Sequence, residues 1–153
     1  MANTYHKMYI QAVFAVKYRD AIISKNWRPD LLAAIGQLIN ETGCKNIIVN
    51  GIEDHVHCFF GLLPKLSVSN VMKDVKSKSS KWINEQSFLK HRFEWQKEFG
   101  VFSYGHSQID SVFKYIKFQE IHHKKQTFKA EYIKLLQLFE VEYDPEYLFE
   151  DLI

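Results

Sequence analysis

Cysteine, proline and glycine are all scarce in this chain, at 2, 3 and 6 of its 153 residues. Two thiols, Cys44 and Cys58, each among apolar neighbours, cannot make a disulfide framework, which points to a reducing, cytoplasmic setting. So few glycines and prolines exclude a collagen-like, elastic or linker-dominated chain. No apolar run approaches the ~18 residues of a membrane span. Residues 1–9 lack the charged-then-apolar pattern of an export signal. A phosphate-binding glycine loop, a dinucleotide fingerprint and a Gly-x-Ser-x-Gly elbow are also missing, so nucleotide-driven and acyl-transfer chemistry are unsupported. Apolar mass is plentiful. The chain is 46% hydrophobic, 15% aromatic and 25% charged, the profile of one globular domain. At this length about 70% of the unfolded surface is buried on folding, enough for a core.

The net charge of +2 hides an uneven distribution. Residues 131–153 hold seven acids against Lys134, a net −6, so residues 1–130 carry +8. The positive charge gathers in two stretches. Lys65, Lys73, Lys76, Lys78 and Lys81 face one acid, Asp74, and Lys114, Lys117, Lys124, Lys125 and Lys129 face one acid, Glu120. A basic body of this kind suits a polyanion, although lysines commonly do no more than solvate helix faces.

The periodicities give an element order. Residues 9–18, YIQAVFAVKY, are rich in β-branched and aromatic residues and read as a strand. Pro29 opens a helix with Leu31, Leu32, Ile35, Leu38 and Ile39 at helical spacing, and Gly43 stops it. Residues 46–51 and 55–63 are two more strands, joined through Glu53-Asp54 as an antiparallel hairpin. Ser67 or Ser69 caps a helix running to Glu85, with Val68, Val71, Met72 and Val75 on its apolar side. After a less regular stretch over 87–99 come a strand over 101–104, a helix over 109–125 and another over 129–140. The order β-α-β-β-α-β followed by helices predicts an α+β fold. It is a ferredoxin-like, RRM-like split βαβ sandwich with a mainly antiparallel sheet and additional C-terminal helices. The division expected is a body over 1–128 and a C-terminal helix with acidic tail over 129–153.

Two constellations carry chemistry. In His55-Val56-His57 the strand period sends both imidazoles to one face, a ready-made pair of metal ligands. Two histidines on a half-exposed sheet face are the plainer alternative. Along the helix over 109–125, Tyr115, Gln119 and His122 share one side, and Val112, Phe113 and Ile116 take the other. A phenol is a nucleophile for phosphorus when a metal polarises the phosphate, and the Gln119 amide oxygen offers a third ligand. Alone, this helix also fits an ordinary amphipathic segment with Tyr115 in the core.

Together, His-x-His on a strand and Tyr-x-x-x-Gln-x-x-His-His on a later helix resemble the single-tyrosine HUH transposases. These are the small transposases of simple insertion sequences and their relatives associated with repeated extragenic palindromes. The resemblance runs over residues 5–126. It takes in Val16-Lys17-Tyr18-Arg19, the turn before His55, the lysine-bearing helix up to Trp82, then Trp95 and Phe102-Ser103. It departs at Gln11, where many relatives carry histidine, and after residue 130, where nothing carries over.

The resemblance implies that 1–128 is a catalytic domain whose Tyr115 attacks single-stranded DNA at hairpin-bearing ends. A 5′-phosphotyrosine would form and a 3′-hydroxyl leave. It implies that His55, His57 and Gln119 hold Mg2+ or Mn2+, with Asp54, His122 and His123 in support. It also implies a homodimer with composite sites, the imidazoles from one subunit and Tyr115 from the other. The residues 9–18, apolar and free of proline, would be a hazardous exposed edge in a monomer; such pairing protects them, and cover within their own chain would do so equally. Lys73, Lys76, Lys78 and Lys81 are the expected DNA contacts. Three alternatives stay open: a noncatalytic single-stranded nucleic-acid-binding module, a domesticated nuclease of palindromic hairpins, and a phosphodiesterase that uses activated water.

Overall fold

The computed structural model describes residues 5–123 and 126–144, apart from the side chains of Arg19, His122 and His123. Four strands, β1 (Tyr9–Ala15), β2 (Lys45–Gly51), β3 (His55–Gly61) and β4 (Gly100–Tyr104), form one sheet in the order β2-β3-β1-β4. Every neighbouring pair is antiparallel, with Val13 opposite His57 and Gln11 opposite both Phe59 and Phe102. This is the split βαβ arrangement the element order predicts.

Strand alternation divides the core in two. One face presents Ala12, Phe14, Val56, Cys58 and Phe60 to α1 (Arg28–Glu41) and α2 (Val68–Glu85), which contribute Leu31, Ile35, Val71, Met72 and Val75. Capping sets these helices. Pro29 sits in the first turn of α1, Gly43 follows its end at φ 102°, and the Ser67 hydroxyl accepts from the Asn70 amide at the start of α2. The opposite face carries Gln11, Val13, His55, His57, Phe59 and Phe102. It is covered by α3 (Ile109–Lys117), the short α4 (Gln119–His123) and α5 (Phe128–Leu138). With both faces covered, all seven residues of β1 are buried.

Two expectations are corrected, and one open alternative is decided. β1 stops at Ala15, because Val16 makes only an isolated bridge to Trp95 and the chain then turns through Tyr18 at φ 61°. β1 is also an interior strand between β3 and β4, so it is no exposed edge; the edges are β2 and β4. Finally, the helix expected over 109–125 breaks at Phe118. Asn50 on β2 explains the break: its side-chain amide donates to the carbonyls of Ile116 (2.8 Å) and Lys117 (3.1 Å), capturing groups that a continuing helix would use. The boundary expected after residue 128 falls inside the first turn of α5, whose Phe128, Leu135 and Leu136 belong to the core.

Candidate active site

The site grows from three rungs of the sheet. His55 and His57 are fully buried on the face of β3 beneath α3 and α5, their ring centroids 5.1 Å apart. Asp54 Oδ1 lies 2.7 Å from His55 Nδ1. Gln11 Nε2 lies 2.9 Å from His57 Nδ1. These contacts leave the two Nε2 atoms aimed the same way, and both meet Glu131 Oε1, at 3.4 Å from His55 and 3.0 Å from His57.

Glu131 comes from α5 and is 1% exposed. Its other oxygen accepts from the Tyr115 hydroxyl and from Gln119 Nε2 (3.3 Å). The Tyr115 ring centroid stands 6.1 Å from that of His57, nearly perpendicular to it. Gln119 is fully buried, and its amide also reaches the Tyr115 carbonyl at 3.4 Å. Gln119 thus stays beside Tyr115 across the break at Phe118. Arg28 braces the other side, with its guanidinium on the Ile23 carbonyl (2.8 Å) and on Glu120 of α4 (3.4 Å). Phe128 closes the floor, stacked on His55 at 4.0 Å. A hollow of about 360 Å3 between β4, α3 and α5, lined by Tyr104, Val112, Tyr115, Glu131 and Leu135, leads to the phenol.

A buried carboxylate is costly unless it is paired and hydrogen-bonded. Here the pairing shifts its neighbours. Burial opposes protonation of His55, but Asp54 and Glu131 outweigh it and hold the imidazole above its ordinary range. Burial pushes the Tyr115 phenol up, and the Glu131 charge pushes it further. The phenol is therefore held protonated beside an acceptor for its proton.

The donor set suits a small divalent cation. One atom each from His55, His57 and Glu131 lie within 4.8 Å of one another, and imidazole nitrogens with a carboxylate are ligands for such ions. Among the expected ligands, Gln119 reaches the cluster with its amide nitrogen toward the carboxylate. Glu131 is not among the expected site residues, because it lies past residue 130, where the resemblance ends, and counts there as one of seven acids. A signal was present: Phe128, Glu131 and Leu135 fall on one stripe of α5, so an acid sits within an apolar face.

The remaining expected residues divide. The side chains of His122 and His123, at the end of α4, lie outside the described residues. The lysines lie on α2, on the sheet face opposite the site. Lys73 and Lys81 are exposed, and Lys78 pairs with Asp74 at 3.3 Å. Lys76 is a strut, donating to the carbonyls of Gln96, Lys97 (2.9 Å) and Glu98 (3.3 Å); burial lowers its pKa to about 8. A basic hollow of about 400 Å3 lies beside α2, lined by Lys17, Lys73, Lys76, Arg92 and Lys97. Within this chain the Tyr115 ring stands beside His57, and its hydroxyl shares Glu131 with both imidazoles.

Residues 4–119 match the profile of the family described as "Transposase IS200 like". No curated protein sequence matches the chain. Among solved structures, the chain is similar to one from Deinococcus radiodurans R1 assigned as a transposase. The TM-score is 0.63 at 17% identity, over 78% of this chain and 95% of that one. It is also similar to a REP-associated tyrosine transposase bound to a REP hairpin. There the TM-score is 0.56 at 15% identity, over 80% of this chain and 74% of the other. At such identities these likenesses establish the fold.

Proposed function

Because the chain belongs to the IS200-like transposase family, we propose that it cleaves and rejoins single-stranded DNA through a phosphotyrosine on Tyr115. The observation that carries the reading is the convergence of Tyr115, His55, His57 and Glu131 on one buried point. As Tyr115 Oη attacks phosphorus, the bond to the 3′ oxygen breaks, that oxygen takes a proton from water and leaves as the 3′-hydroxyl, and the phenol gives up its own proton. Glu131 already accepts from the phenol and is placed to take that proton. The phosphoester energy is kept in the 5′-phosphotyrosine, so rejoining needs no nucleotide cofactor.

His55, His57 and Glu131, with Gln119 beside them, would hold Mg2+ or Mn2+. Such an ion supplies charge stabilisation at a non-bridging phosphate oxygen and offsets the carboxylate that holds the phenol protonated. Imidazole donors favour Mn2+ over Mg2+.

The DNA partner is a single-stranded hairpin, as is bound by the REP-associated structural neighbour. The basic hollow beside α2 is a natural place for its phosphates, with the single strand passing around the sheet to Tyr115. Two DNA ends must be cut and exchanged in one event, so the working unit is a homodimer of chains each carrying its own site. It acts in the cytoplasm, where the DNA is. No helix among the described residues is long and apolar enough to cross a membrane.

The test is cleavage of end-labelled hairpin oligonucleotides with Mn2+ by wild type, Tyr115→Phe and His57→Ala. Both variants should be inactive yet bind the hairpin. Cleavage by Tyr115→Phe would replace the tyrosine reading with water-based hydrolysis.

A further inference from the structure

A second chain of side chains runs beneath the site, diagonally across the strands. His57 on β3, Gln11 on β1 and Tyr104 on β4 occupy three adjacent strands on the face that carries the site. Gln11 is 1% exposed, and its amide spans the gap, with Nε2 2.9 Å from His57 Nδ1 and Oε1 accepting from the Tyr104 hydroxyl at 2.6 Å. A buried amide in a strand otherwise made of apolar and aromatic residues is costly unless its groups are satisfied, and here both ends are.

The two imidazoles of the site are therefore held differently. Asp54 is an acceptor only, so it fixes a proton of His55 on Nδ1 and leaves Nε2, the nitrogen facing Glu131, as the atom that sheds its proton when a cation binds. Opposite His57 stands an amide, which offers a donor or an acceptor according to its rotation about the last torsion. With Nε2 of Gln11 donating to Nδ1, the His57 proton sits on Nε2 and is donated to Glu131 Oε1 at 3.0 Å. In that tautomer Nε2 has no lone pair for a cation. Holding one requires the proton on Nδ1, and then Nδ1–H must find an acceptor. A half-turn of the Gln11 amide provides it through Oε1 and swings its NH2 onto the Tyr104 oxygen. A hydroxyl donates in the first arrangement and accepts in the second, so Tyr104 satisfies both. The ring stays neutral throughout: the proton that Nε2 gives up to solvent as the cation binds is matched by one that Nδ1 takes up from solvent.

We propose that Gln11 and Tyr104 form a two-position relay that sets the tautomer of His57 and so lets it ligate the divalent ion. Gln11 is a positioning residue that acts through His57 and does not touch DNA. The inference rests on the metal reading above and extends it to residues beneath the site.

The experiment uses the full chain and Mn2+ alone, without DNA. Binding is measured by the loss of the free Mn2+ electron-spin-resonance signal for wild type, Gln11→Leu, Gln11→Glu and Tyr104→Phe, with thermal unfolding recorded for each. Gln11→Leu leaves Nδ1–H without an acceptor and should weaken Mn2+ binding about 10- to 100-fold, the usual loss when an outer partner of a ligand histidine is removed. Gln11→Glu, which only accepts, should restore it. Tyr104→Phe should fall between, since it keeps the amide but loosens its second anchor. Ring 15N shifts provide a readout independent of affinity. The His57 proton should sit on Nε2 without metal and on Nδ1 with saturating Mg2+. Wild-type binding with a folded Gln11→Leu unchanged, or a His57 tautomer that Mg2+ does not move, would overturn the relay and leave the metal site standing. Absence of Mn2+ binding by wild type would overturn both. Should Gln11→Leu fail to fold, Tyr104→Phe and the wild-type tautomer decide the matter.

Discussion

A single carboxylate organises the chemistry of this site. Glu131 meets both imidazoles, the phenol and the Gln119 amide, and each contact is explained by the others. Glu131→Gln keeps the shape and removes the charge. If Glu131 is a ligand, wild type should gain about 2.7 kcal/mol of stability at 100 times the Mn2+ dissociation constant, and the variant should gain far less. Calorimetric unfolding with and without Mn2+ checks this; equal gains would remove Glu131 from the ligand set. His55 gives a pH dependence of definite sign. Its pKa is raised in the fold by Asp54 and Glu131, so between the unfolded value of about 6.5 and the folded one the native state binds more protons. Without divalent ions, that stabilisation is complete below about pH 6.5 and is lost as pH rises through the folded pKa. Unfolding midpoints in chelator from pH 5.5 to 8.5 should fall with pH, and more steeply than in His55→Asn. Identical slopes would show that His55 is not held charged.

Element by element, the sequence was a good guide where periodicity decides and a poor one where distant contacts do. The strands at His55 and Gly100 and the helices after Pro29 and Ser67 follow from alternation, spacing and caps, and they form the expected sheet. The two imidazoles on one face were legible for the same reason. The break at Phe118 was not, because its cause is Asn50, more than sixty residues away in sequence. The placement of Glu131 depends on α5 docking against β4, and that docking depends on a glycine. A Cβ on Gly100 would lie 2.5 Å from the Tyr132 ring. Gly100→Ala should therefore push α5 outward and destabilise the protein by about 1–3 kcal/mol. It should also weaken Mn2+ binding at a site it does not touch. Denaturant unfolding and Mn2+ titration of the same sample read both effects, and an Ala variant with wild-type metal affinity would separate α5 docking from the site.

At the scale of the whole molecule, charge and chemistry lie on opposite faces of the sheet. The lysines of α2 line one side, and Tyr115 with its partners lies on the other. Binding of hairpins should be strongly salt-dependent. Lys73→Gln with Lys81→Gln should reduce the slope by about one phosphate contact each, since both side chains are exposed. Lys76, clamped by three carbonyls, should affect stability more than the slope. Subunit mixing separates the two arrangements of the site. A His57→Ala chain mixed with a Tyr115→Phe chain should stay inactive if each chain is complete, and regain cleavage if Tyr115 serves the partner. Whether Tyr115 becomes joined to DNA is read by mass spectrometry of the protein after incubation with a single-stranded hairpin end and Mn2+. A denaturation-resistant adduct is expected, its added mass that of the 5′-phosphorylated fragment, carried on the peptide containing Tyr115 and absent from Tyr115→Phe. Cleaved DNA with no modified peptide, or an adduct on any other residue, would contradict it.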